Sequence, residues 1–183
     1  MSELATLVAR RLCHDLAGPA GAIATVVELM GEGATDPELQ SLLADSSAAL
    51  LATLRLHRFV LGGGDASDYR ACLRAWVATR EGVELHWTGD QQHAPAAAAL
   101  LLGLAMIAAE AAPGAATLTV ADTGVTVDAA RLSFDPQIAA ALAGAPAATP
   151  KGSLAALLSH AAAGQGRRVI ADSTPTRLKL TLA

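Results

Sequence analysis

Two long helical segments at the start of the chain are the feature that most constrains its fold. Apolar residues recur with the period of an α-helix over residues 3–31, and again from residue 37 to the three glycines at 62–64. The first segment continues through Pro19, where the missing N–H predicts a bend. The glycine-containing stretch at 31–33 predicts a turn, so the two helices should form a hairpin.

A capping pattern marks the start of the second helix. Thr35 supplies a hydroxyl cap, Pro37 suits the first helical turn, and Glu38 lies three residues after the threonine. The pattern predicts that the second helix begins directly after Thr35.

A lone hairpin of this kind has more apolar surface than it can cover by itself. Two helices of about 25 residues each would make a hairpin about 38 Å long, with an apolar stripe on each helix. A two-fold partner would cover both stripes in a four-helix bundle. We therefore predict a homodimer that forms through residues 3–61.

The sequence changes character after the glycines at 62–64, which predict a boundary between two domains, 1–64 and 65–183. Helical and alternating patterns follow one another in the second domain. We predict helices at 68–80, 96–112, 136–143 and 153–163, strands at 83–87, 117–122, 125–128, 167–172 and 176–182, and a loop at 144–151. This mixture, with mostly antiparallel strands, predicts an α+β sandwich behind the hairpin.

Composition excludes several classes of protein. Hydrophobic residues make up 52% of the chain and aromatic residues 3%, a balance that favours packed helices rich in Ala and Leu over disorder. A formal net charge of -4 without a basic run argues against nucleic acid or anionic lipid as a partner.

Three further features indicate a cytoplasmic protein. The longest apolar run, residues 96–109, is shorter than the roughly 20 residues that cross a bilayer, so no membrane span is predicted. The N-terminal charges do not follow the signal-peptide pattern. Two cysteines, Cys13 and Cys72, are too few for a disulfide framework and fit a reducing compartment.

His14 is the sharpest local feature of the first helix. At about 100° per residue it lies about 140° from the centre of the apolar stripe, which predicts an imidazole that faces solvent. Ala17, Gly18 and Gly21 share its face. Glycines on an exposed helical face cost about 1 kcal/mol each relative to alanine, and such small residues would let another protein approach the imidazole. Cys13 is expected to turn toward the core.

The residues beside His14 suit phosphoryl chemistry. A neutral imidazole is a good nucleophile near its unperturbed pKa of about 6.5, and Asp15 could hold the tautomer of the ring. Arg10 and Arg11 could attract a phosphoryl group or an acidic partner, or could only solvate the helix. The alternative for His14 itself is that it is an ordinary solvent-exposed histidine without a functional role.

The first helix resembles the phospho-acceptor helix of the ChpT-type histidine phosphotransferases in the segment Leu12-Cys13-His14-Asp15-Leu16, followed by Pro19 and Gly21-Ala22-Ile23. The resemblance implies a dimerising hairpin followed by a degenerate ATP-binding domain of histidine-kinase type. It implies that His14 is the phospho-acceptor, assisted by Asp15. It also implies two kinds of partner, the receiver domain of a hybrid histidine kinase and response regulators. The docking residues expected on this basis are Arg10, Arg11, Ala17, Gly18, Gly21 and Thr25, with part of the second domain.

The second domain departs from the kinase pattern at the positions that would hold nucleotide. Gly103 and Ile107 stand where kinases of this fold carry magnesium-binding asparagines, and the chain contains no asparagine. Residues 122–126 resemble the adenine-binding Asp-x-Gly-x-Gly motif but lack its second glycine, and they are interpreted as an ordinary turn. Residues 151–154 resemble the glycine-rich lid but lack its repeated glycines. We therefore expect no ATP binding and no cofactor, with magnesium supplied by the receiver partner.

Two other functions stay open on the sequence alone. One is a histidine kinase that binds nucleotide in an unusual way, and the other is a dimeric adaptor without phosphoryl chemistry. The remaining histidines, at 57, 86, 93 and 160, are not grouped at ligand spacing, so no metal site is expected. Gly18 replaces the polar residue that positions water in bifunctional kinases, which puts phosphatase activity in doubt.

Overall fold

The computed structural model describes residues 2–33, 36–63, 68–89 and 92–183. In chain order the elements are α1 (Glu3–Gly31), α2 (Pro37–Arg58), α3 (Tyr69–Val77), β1 (Val83–Trp87), α4 (Pro95–Glu110), β2 (Ala116–Ala121), β3 (Gly124–Ala129), α5 (Pro136–Leu142), α6 (Pro150–Gly164), β4 (Val169–Ser173) and β5 (Arg177–Leu182). A π-helical turn, Phe59–Gly63, extends α2. The predicted α+β class is confirmed.

The hairpin follows the predicted pattern with one correction. Helix α1 is continuous through Pro19, as predicted. Thr35 lies outside the described residues, and the side chain that caps α2 is that of Asp36, which accepts a hydrogen bond from the Glu38 amide at 2.8 Å. The helical region ends at Gly62, whose φ of 93° is a left-handed conformation that favours glycine.

The sheet has five strands in the order β1-β2-β3-β5-β4. Strands β1 and β2 are parallel and are joined through α4, whereas the other neighbouring pairs are antiparallel. Alternate residues such as Leu118, Val120 and Leu180 are buried under the helices, while the opposite face carries polar side chains. This is the predicted sandwich of helices on one face of a mostly antiparallel sheet.

Helix α4 forms the centre of the core. Every residue from Leu100 to Ala109 is buried, because α4 packs against the sheet, α6 and the π-helical turn. Gly103 lets α6 approach closely, since a Cβ at this position would collide with the Leu158 side chain. Helix α6 begins at Pro150 rather than at the predicted residue 153, because Thr149 caps it and Pro150 fits its first turn.

The hairpin and the sheet-bearing part share one apolar core. Leu56 and Phe59 belong to the same buried cluster as the residues of α4, and α1 packs against α6. The domain boundary predicted after residue 64 stays a prediction, because residues 64–67 lie outside the described residues.

Gly124 gives a direct test of the close approach between β3 and β5. A Cβ on this residue would overlap the backbone carbonyl oxygen of Leu180, which cannot move without disturbing the sheet. We expect Gly124→Ala to lower the free energy of unfolding by about 1–3 kcal/mol. Gly114→Ala, at a loop glycine with open space around it, is the matched control and should change it by less than about 0.5 kcal/mol. Equal stabilities of the two variants in urea denaturation would contradict this packing.

Candidate functional site

His14 stands on the outward face of α1. Its side chain is 86% exposed, which confirms the prediction that it faces solvent. Gly18 and Gly21 have no atom within 4 Å of the position where a Cβ would lie. The other exposed members of the expected docking surface are Arg10, Ala17 and Thr25. The imidazole therefore lies on an open surface of small side chains. The expectation that Cys13 packs near the core is wrong, because Cys13 is exposed.

Asp15 is the centre of the polar contacts around His14. Its Oδ1 lies 3.4 Å from His14 Nδ1, and its Oδ2 lies 3.0 Å from His57 Nε2. Arg11 Nε approaches Oδ2 to 3.5 Å from one turn earlier on α1. The Asp15 carboxylate thus bridges His14 and His57, which lies on the neighbouring helix α2.

His57 was missed by the sequence reasoning. It is 4% exposed and lies near the C-terminal end of α2, where the hairpin helices pack together. Its sequence signal is its position beside Leu56 and three residues before Val60, on the buried side of the helix. A histidine on the buried side of an amphipathic helix needs a polar partner, and Asp15 is that partner.

Arg11 does not lie on the docking surface, and the expectation that it contacts partners or solvates the helix is wrong. It is 6% exposed. Its Nη1 donates to the carbonyl oxygen of Lys151 at 3.1 Å, and its Nη2 forms an ion pair with Glu110 at the end of α4. The reason is that α1 packs against α6, which turns Arg11 toward the junction of α4 and α6.

The pKa of the Asp15 carboxyl is lowered from its ordinary value of 3.8. Burial by itself would raise this pKa, but the hydrogen bond with His57, the charge of Arg11 and the hydrogen bond with His14 outweigh burial. Asp15 is therefore ionised at neutral pH. A carboxylate 3.4 Å from His14 Nδ1 favours the tautomer that carries its proton on Nδ1, which leaves the lone pair on Nε2.

A hollow of about 220 Å³ opens beside His14, between the hairpin and the second region of the chain, residues 68–183. It is lined by residues of α1, α2, α4 and the segment around α3: His14, Asp15, Gly18, Thr53, His57, Trp76, Arg80, Met106 and Glu110. Sequence reasoning found only part of this lining, since residues 76–110 come from elements far along the chain.

The positions that resemble a kinase nucleotide site serve the core and the sheet. Gly103 packs under Leu158, and Ile107 is buried. Asp122 lies in the two-residue turn between β2 and β3, as the turn interpretation predicted, with its Oδ1 3.3 Å from His93 Nε2. Residues 151–154, expected as a reduced lid, form the first turn of α6.

In residues 2–33, 36–63, 68–89 and 92–183, no three His, Cys, Asp or Glu side chains are grouped so that they could hold a metal ion. Over the same part of the chain, no helix combines the length and apolar character that a bilayer span requires.

The fold of this chain is shared by a solved bacterial protein. A solved bacterial phosphotransferase superimposes with a TM-score of 0.85 over 100% of this chain and 98% of that chain, at 23% sequence identity. The family model for the histidine phosphotransferase C-terminal domain matches residues 67–177, more than half of the chain. The chain belongs to the histidine phosphotransferase family, as the resemblance of its first helix predicted.

One curated relative is the protein phosphotransferase ChpT of Brucella abortus (strain 2308). It is 28% identical over 134 residues, an alignment that covers 69% of this chain and 64% of the Brucella protein. The chain thus matches just under two thirds of the length of that relative.

The ionic contacts of Asp15 predict how stability depends on pH. Because the folded-state pKa lies below the unfolded one, Asp15 stabilises the fold above the unfolded value, and this contribution is lost as pH falls through the folded value. The difference in unfolding free energy between the wild type and Asp15→Asn should therefore be constant above about pH 5 and shrink as the pH falls through 3.8 towards the lower folded-state pKa of Asp15.

Urea denaturation at several pH values measures this difference, and Asp45→Asn, on the exposed side of α2, controls for the loss of one negative charge. A difference between the wild type and Asp15→Asn that stays constant over the whole range would contradict the assigned contacts.

Proposed function

We propose that this protein is a phosphorelay intermediate. His14 accepts a phosphoryl group from the receiver-domain aspartate of a hybrid histidine kinase and passes it to the aspartate of response regulators, in the cytoplasm. The observation that carries the proposal is the exposed His14 ring, whose Nδ1 lies against Asp15 and whose Nε2 is open to a partner. Membership of the histidine phosphotransferase family supports it.

The transfer needs little covalent chemistry from this chain. The Nε2 lone pair of His14 attacks the phosphorus in line while the bond from phosphorus to the aspartate oxygen breaks, and the aspartate leaves as a carboxylate. Asp15 holds the Nδ1 proton and stabilises the cationic phospho-imidazole. The receiver partner supplies the magnesium ion, and the exposed residues Arg10, Ala17, Gly18, Gly21 and Thr25 form its docking surface with part of the second region.

The phosphoryl group comes from another protein and not from bound ATP. Gly103 packs against Leu158, and Ile107 is buried in the core. These are the two positions at which the resemblance implies magnesium-binding asparagines. The Oδ1 atom of Asp122 is buried and lies 3.3 Å from His93 Nε2, so an imidazole faces this carboxylate oxygen where the resemblance implies an adenine ring. These contacts support a domain that has kept the shape of a kinase domain without its nucleotide site.

The active protein is a homodimer formed through the hairpin. Most of the large apolar side chains that are exposed in the described residues lie on the hairpin: Val27, Leu29, Leu42, Leu51, Leu54 and Leu61. A patch of this kind is typical of an interface, and a second hairpin would cover it in a four-helix bundle.

Incubation with a phosphorylated receiver domain tests the proposed relay. We expect label that is stable in alkali and labile in acid to appear on His14, and His14→Ala to abolish it. Asp15→Asn should slow transfer by about 10- to 100-fold, because a neutral amide neither fixes the tautomer of the ring nor stabilises the cationic phospho-imidazole. His86→Ala, which removes an exposed histidine of β1, is the control and should transfer like the wild type.

Two outcomes would favour the alternatives. Label on His14 from Mg-ATP alone, or micromolar ATP affinity by calorimetry, would indicate a kinase that retains nucleotide. Full biological activity of His14→Ala would indicate an adaptor without phosphoryl chemistry.

A double variant tests the dimer. Leu51→Glu with Leu54→Glu places two charges in the exposed apolar patch, and we expect the mass measured by light scattering to fall from that of a dimer to that of a monomer. Ile170→Glu changes an equally exposed apolar residue on β4, outside the hairpin, and should leave the dimer intact. A monomeric wild type at the same concentration would contradict the dimer.

A further inference from the structure

We propose that Arg80, a residue of the second region, binds the phosphoryl oxygens of the group that His14 receives. This inference rests on the proposed function and adds a residue that neither the histidine helix nor its partner helix contains. The starting observation is that Arg80 and His14 line the same hollow of about 220 Å³.

Two contacts position the Arg80 guanidinium. The Arg80 amide donates to the carbonyl oxygen of Val77 at 2.9 Å, which continues the turn after α3. The guanidinium carbon lies 4.7 Å from the centroid of the Trp76 ring, and Trp76 itself is buried. Stacking on a fixed aromatic ring leaves the N–H groups at the edge of the guanidinium free to donate.

The charges of the hollow leave Arg80 available for an anion. The two carboxylates in the lining are those of Asp15 and Glu110, and both form ion pairs with Arg11. His57 provides Asp15 with a further hydrogen-bond partner. In the part of the chain that the structure describes, no carboxylate forms an ion pair with Arg80.

A phosphoryl group at His14 has the chemistry that this cation would recognise. As the bond from phosphorus to Nε2 forms and the bond to the departing carboxylate breaks, negative charge spreads over the three oxygens that stay on phosphorus. Arginine donates well to such oxygens because its N–H groups form a planar fork. Arg80 would lower the energy of this charge during transfer and of the phosphohistidine that results, while the Nδ1 proton stays beside Asp15.

Phosphoramidate provides a test that needs no protein partner. This reagent transfers its phosphoryl group to histidine and releases ammonia, so the rate of His14 labelling reports on the site alone. We expect Arg80→Gln to slow labelling about tenfold or more, to speed hydrolysis of the phosphohistidine and to shift its ³¹P resonance. Arg80→Lys keeps the charge and should recover part of the rate.

Arg74→Gln removes an exposed arginine from α3, outside the lining of the hollow, and is the matched control for charge. It should label and hydrolyse like the wild type. If Arg80→Gln matches the wild type in both rates and in its ³¹P resonance, the inference is overturned and the proposed function stands. If the wild type takes no label on His14 from phosphoramidate or from a phosphorylated receiver, the proposed function itself fails.

Discussion

The ion pair between Arg11 and Glu110 is the contact on which the site depends. It joins α1 to the end of α4 and, through the carbonyl of Lys151, to the start of α6. A buried guanidinium without a carboxylate would be strongly destabilising, so this pair fixes the rotation of α1 about its axis. That rotation places Asp15 against His57, one residue along α1 from the exposed His14.

The second region, residues 68–183, contributes directly to the surroundings of His14. Helix α4 carries Glu110 at its end, and the segment after α3 brings Trp76 and Arg80 to the hollow beside His14. Leu158 of α6 packs over Gly103, which brings α6 close to α4. The second region thus supports the histidine of the hairpin.

The sequence predicted most of the fold because helix and strand signals are local. Both hairpin helices, the order of the strands along the chain and the turn at Asp122 follow from period, glycines and prolines. The start of α6 was placed too late because a stretch rich in Gly, Ala and Pro resembled a loop, although Thr149 and Pro150 are a cap and a first-turn residue. Arg11 was misplaced because its charge suggested solvent, and His57 was passed over because no neighbour in sequence suggested a partner.

What the sequence by itself determined is the exposure of His14, since the direction of an apolar stripe on a helix is set by residues within a few turns. The tertiary structure alone decided the partners of that histidine. Arg11 and Glu110 are 99 residues apart, and Arg11 and Lys151 are 140 residues apart. Contacts over such separations arise only when α4 and α6 have packed against α1, and no local pattern encodes them.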